Sequence, residues 1–125
     1  MGFATIIRES EEDGKLRYSL IFDTLREFND EEYIEFKNSF NDIFSNNENN
    51  DKYQKIIMTI DTREIGTIPF PTLYDFSYNL LDIREKAEKV LEKTYIMISS
   101  QIVMTAFKGI FMICPPISEI EYIIS

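Results

Sequence analysis

The chain has 125 residues and a net charge of -9, with 44% apolar and 28% charged residues. This length supports one domain, 1–125, with a closed core, and the proportions are ordinary for a globular fold. The acid excess repels phosphate backbones and anionic bilayers, so neither nucleic acid nor a membrane surface is an expected partner.

That excess is concentrated early. Up to Lys52 there are 13 acids against 6 bases, and beyond it 9 against 7. No His is present, which removes the usual general base, the Ser-His and Cys-His nucleophile pairs and the commonest metal ligand. Cys114 is the one cysteine, so neither an internal disulfide nor a Cys-cluster zinc site can form. It sits between Ile113 and Pro115, with no base nearer than Lys108, and reads as a packed thiol in a reducing, cytoplasmic setting. MGFATIIRES lacks the basic and apolar regions of a signal peptide, and Ile6 breaks the myristoylation pattern.

Phe3 to Arg8 and Leu16 to Asp23 read as two strands. Asp13-Gly14 between them is a tight-turn signal, so the pair is expected as an antiparallel hairpin. Asn29 then caps a helix, with Glu32 in capping-box position. Tyr33, Phe36, Phe40, Ile43 and Phe44 recur at helical spacing. Ser45 to Asp51 reads as a polar loop. Ile56 to Ile60 is a continuous apolar run, the pattern of a central strand covered on both faces.

Thr72 is expected to cap the next helix, with Asp75 three residues on. Its buried stripe is Leu73, Phe76, Leu80, Ile83, Ala87 and Leu91, and Arg84 to Glu92 supply a solvated, charged side. Tyr95 to Cys114 is long enough to cross a bilayer. Ser99, Ser100, Gln101, Thr105 and Lys108 interrupt it, so it reads as a strand, Tyr95 to Ile98, followed by a helix to about Met112. Pro115-Pro116 stops that helix, and Glu119 to Ile124 is a last strand. The order β-β-α-β-α-β-α-β predicts one α/β domain. It has a mixed sheet, an N-terminal antiparallel hairpin, and helices packed on parallel strands through right-handed crossovers.

Sites in open α/β sheets lie at the carboxyl ends of strands, which directs attention to Asp61 and the loop after it. As a magnesium ligand or phosphoacceptor Asp61 lacks companion acids, since Arg63 stands where a DxD pair needs Asp and only Asp23 is near an earlier strand end. The simpler expectation is that Asp61 bonds the amides of its own loop. No GxGxxG, GxxxxGK[ST] or nucleophile elbow is present, so no catalytic residue, metal or cofactor is assigned. The last helix has a narrow polar stripe, Gln101, Thr105, Lys108 and Met112. Val103, Met104, Phe107 and Phe111 then suggest an apolar interface for a protein partner, a second copy or a lipid-like ligand.

The order of elements and the texture of Lys55 to Ser125 resemble STAS-like domains, the bacterial anti-sigma-factor antagonists and the related CRAL-TRIO lipid-binding core. The residues that carry the likeness are IIMTID, the Gly66 loop leading to a helix, YIMISSQIVMTAFKGIF and the closing PPISEIEYII. The resemblance implies a non-enzymatic regulatory module that binds a protein partner or itself through Asp61, Thr62, Gly66, Thr67 and Thr72. Antagonists of this type carry a phosphorylatable residue at the start of that helix. Thr72 matches best by position and Thr67 second, although the Asp-Ser-Ser-Gly run of those proteins is not present. The CRAL-TRIO side of the resemblance implies the alternative, a small carrier with an apolar ligand under the last helix.

Overall fold

The computed structural model describes residues 3–9, 14–23, 28–48 and 55–124. Strands β1 (Ala4–Arg8), β2 (Lys15–Phe22), β3 (Lys55–Asp61), β4 (Leu91–Ile98) and β5 (Glu119–Ile124) lie side by side in chain order. β1 and β2 are antiparallel, and β2 to β5 are parallel. The expected mixed sheet with an N-terminal hairpin is therefore present. Gly14 follows the expected turn with φ +72, a left-handed conformation that a Cβ disfavours. Asp13 lies outside the described residues.

Helices α1 (Asp30–Glu48), α2 (Phe70–Val90) and α3 (Gln101–Ile113) form the three crossovers. Because each parallel strand is added on the same side of the last, right-handed connections put all three helices on one face. The register agrees. Leu16, Leu20, Ile56, Met58, Ile96 and Ile98 share that face and are buried. The other face carries the rows Arg17–Ile57–Lys93–Glu119, Ile7–Ser19–Thr59–Tyr95–Glu121 and Thr5–Ile21–Asp61–Met97–Ile123. Ion pairs span it, Lys15 to Glu92 at 2.9 Å and Lys93 to Glu121 at 3.4 Å, and Lys93 lies over the Tyr95 ring. This corrects the expectation that β3 is covered on both faces. On its helix side Ile56 and Met58 are buried and Ile60 is half-buried; on the other side, which no helix covers, Ile57 is buried among its sheet neighbours while Thr59 and Asp61 are half-buried.

The core is aromatic and sits under α1. Asn29 Oδ1 accepts from the Glu32 N–H at 2.8 Å and the Asn29 N–H donates to Glu32 Oε1 at 3.2 Å, the expected capping box. Asp30, Glu31 and Glu32 occupy the first turn, where the helix dipole favours them. Tyr33, Phe36, Phe40, Ile43 and Phe44 are all buried. Phe3 packs edge-on against Phe22, Phe28 and Tyr33, and Phe40 against Phe76. α1 continues through Glu48, so most of the expected polar loop is helix; residues 49–51 lie outside the described residues.

Two boundaries move at α2. It begins at Phe70 with Pro69 as N-cap, so Thr72 stands in the first turn and is not the cap. Pro at the second helical position is tolerated because its missing N–H would have no helical partner there. Asp75 does not complete a cap either; it reaches across to α1. At the other end α2 passes straight into β4, which starts at Leu91 and not at Tyr95. Leu91 and Glu92 therefore belong to the sheet. α3 starts where expected, with Ser100 Oγ accepting from the Ile102 N–H at 3.2 Å.

Candidate functional site

The loop between β3 and α2 leaves the carboxyl edge of the sheet on a fixed base. Thr62 is 1% exposed. Its hydroxyl donates to the Met97 carbonyl oxygen at 2.6 Å, and its N–H donates to the same oxygen at 3.1 Å. This ties the loop to β4 and turns Thr62 inward, so its side chain is not presented to a partner. Ile65 closes a turn by donating its N–H to the Thr62 carbonyl at 3.2 Å. Ile65 and Ile68 then pack against the core.

Asp61 is clamped by its neighbour. Oδ1 accepts from the Arg63 backbone N–H and from Nε–H, each at 3.0 Å, and Oδ2 accepts from Nη2 at 2.8 Å. The Arg63 side-chain hydrogen bonds, assisted by its charge, hold the Asp61 carboxyl below the usual carboxylate range. The same pair raises the Arg63 guanidinium. Both carboxylate oxygens are thus occupied by the loop itself.

What the loop offers outward is a series of exposed residues, Arg63, Glu64, Thr67, Pro69, Phe70 and Pro71. Gly66 is half-buried between them. Thr72 is half-buried too, and its N–H donates to the Pro69 carbonyl at 3.0 Å. Of the five residues expected to form the contact surface, Thr67 is the most open hydroxyl, Asp61 and Thr72 are edge positions, and Thr62 is an anchor. The structure brings all five into one segment because the strand and helix that bracket it are adjacent in the chain.

The expected apolar interface on α3 is distributed differently. Val103, Met104, Phe107 and Phe111 are half-buried, and the Phe107 and Phe111 rings lie 6.1 Å apart. The open apolar side chains of α3 are Ile102 and Met112. A second set is on α2, where Phe70, Tyr74, Tyr78 and Leu81 are exposed. They follow a helical phase offset from the inward set Phe76, Leu80, Ile83 and Ala87. The signal was visible in the spacing, but attention to one stripe per helix passes over it.

Arg84 departs from the solvated side on which its charge placed it. Its guanidinium donates to the Pro115 carbonyl at 2.5 Å and to that of Pro116 at 3.4 Å, lies 3.5 Å from Cys114 Sγ, and pairs with Glu88 at 2.7 Å. Contact with the Cys114 sulfur is the largest influence raising its pKa. A hollow of about 350 Å³ lies between β1 and α1, lined by Phe3, Ala4, Ile6, Glu32, Glu35, Phe36 and Ser39. It is open and carries two carboxylates, unlike the enclosed apolar cavity a lipid carrier needs.

Among the described residues no group of three or more His, Cys, Asp or Glu side chains is placed to hold a metal ion. No helix among them is long and apolar enough to cross a membrane. No family model matches the chain, and comparison with curated proteins and with solved structures brings no significant match.

Proposed function

We propose that this chain is a non-enzymatic, STAS-like interaction module that binds a protein partner through the loop from Asp61 to Thr72. The observation that carries this reading is the loop's construction. Thr62, Ile65 and Ile68 are tied inward, while Arg63, Glu64, Thr67 and Pro69 stand outward at the carboxyl edge of the sheet. A pre-ordered loop loses little conformational entropy on binding, which favours recognition. Occupation of both Asp61 oxygens by Arg63 argues for a structural use of that carboxylate over phosphoryl chemistry. Thr67, open to solvent, is the hydroxyl best placed for modification; Thr72 is the second. The buried, unpaired Cys114 suits a reducing cytoplasm.

The test is affinity capture from the native cell with intact protein, with Arg63→Glu/Thr67→Glu, and with Ile7→Glu on the open sheet face as control. Loss of a specific partner with the loop variant alone supports the reading. Identical partner lists from all three proteins overturn it.

A further inference from the structure

We propose that the exposed side of α2 is a self-association surface, on which a second copy of this chain packs its own α2 antiparallel across a two-fold axis. Phe70, Tyr74, Tyr78 and Leu81 recur at intervals of four, four and three residues, so they form one stripe about three turns long. They are 74%, 54%, 57% and 38% exposed. The neighbouring α3 also exposes Ile102, at 83%, and Met112, at 86%, near its two ends. At roughly 200 Å² for each large side chain, the four α2 residues leave on the order of 450 Å² open, or about 900 Å² over a symmetric pair, the size of a weak, reversible contact. A contiguous apolar patch of about the size found on one copy is the largest a monomer usually shows, and such patches are often functional.

The stripe is complementary to itself in one register. With the axis between Ser77 and Tyr78, Tyr74 lies on the partner's Leu81, and Tyr78 lies beside the partner's Tyr78. The next residue of the stripe is Glu85, four beyond Leu81, and this register sets it against the partner's Phe70, at the start of the partner's α2. That start has no acidic residue in its first turn, and Pro69 makes no side-chain capping bond. Each copy thus brings a carboxylate to the positive end of the other's helix. A parallel arrangement would instead place Glu85 against the partner's Glu85. The contact is isologous and closes on itself, so it yields a dimer and not a filament. It shares Phe70 with the proposed partner loop but uses none of Arg63, Glu64 and Thr67, and Tyr78 and Glu85 lie outside that loop, so variants at these positions separate the two readings.

Sedimentation velocity on the full chain tests this, with a dimer of twice 14.8 kDa expected at about 50 µM. Tyr78→Glu is expected to weaken the dimer at least about tenfold, and Glu85→Lys to weaken it by a smaller factor. Ile7→Glu, on the open sheet face, is expected to leave it unchanged, and circular dichroism checks that each variant is folded. A wild-type monomer at that concentration overturns the proposal. So does a dimer that survives Tyr78→Glu, or one that Ile7→Glu disrupts. A dimer weakened by Tyr78→Glu but indifferent to Glu85→Lys overturns the antiparallel register.

Discussion

Along the side that meets α1, α2 is held by matched partners. Tyr33 Oη donates to Asp75 Oδ2 at 2.6 Å, Lys37 Nζ donates to the same oxygen at 2.9 Å, and Asn41 and Asn79 exchange amide bonds at 2.9 Å each way. Below these bonds Phe36 and Phe40 pack on Phe76. Along the side that meets α3, Arg84 reaches the carbonyls after α3, while Phe70, Tyr74 and Tyr78 above it face solvent. One helix therefore has a side satisfied within the chain and a side with apolar surface to spare. Polar pairs at fixed positions specify a single internal neighbour, whereas an aromatic stripe without them is suited to an external one.

The sharpest way to break this comparison is truncation on the two sides. Phe36→Ala should cost about 3–5 kcal/mol in urea unfolding, while Ile102→Ala should change stability by less than about 0.5 kcal/mol in the monomer. Comparable losses would mean that the α3 side is as tightly packed as the α1 side. Arg84→Met comes next, at about 1 kcal/mol, because it removes a charged donor from the Pro115 carbonyl, which is exposed and can turn to water instead. A double-mutant cycle on Asn41→Ala and Asn79→Ala should show about 1 kcal/mol of coupling; zero coupling would remove the amide pair from the comparison.

The smallest effect concerns pH. The Asp75 carboxyl is held below its usual range, chiefly by the Tyr33 hydroxyl and then by Lys37. Burial, with Asp75 second, pushes the Tyr33 hydroxyl far up, so it stays a donor through neutral pH. A depressed folded-state pKa contributes stability above the unfolded value, about 3.9, and loses it as pH falls through the folded value. Because Asp75 is half exposed, the contribution should stay below about 1 kcal/mol. Asp75→Asn should flatten the acid limb of the stability profile by that amount; an unchanged limb assigns the acid sensitivity elsewhere.

Much of the fold was legible in local pattern. The capping box at Asn29, the aromatic stripe of α1, the Ser100 cap and the last strand all stand where the spacing placed them, because each rests on contacts within a few residues. Asp61 bonding its own loop was legible for the same reason. Pro-Phe-Pro concealed the start of α2, since its N-cap carries no polar side chain and Thr72 offered a more familiar signal. The roles of Arg84 and Asp75 were not legible at all, because their partners, Pro115 and Tyr33, lie 31 and 42 residues away.

The apolar run Ile56 to Ile60 shows where local information ends. Its composition specifies a central strand, and β3 is central, between β2 and β4. Alternation within a strand marks two faces but not what covers each. That depends on the hand and direction of the crossovers, which here place all three helices on one side. For the same reason the chain's own residues dictated an apolar helix surface, while assembly of the helices moved its open part from the centre of α3 to its ends and to α2. Hydrophobicity is a property of residues, but exposure is a property of neighbours.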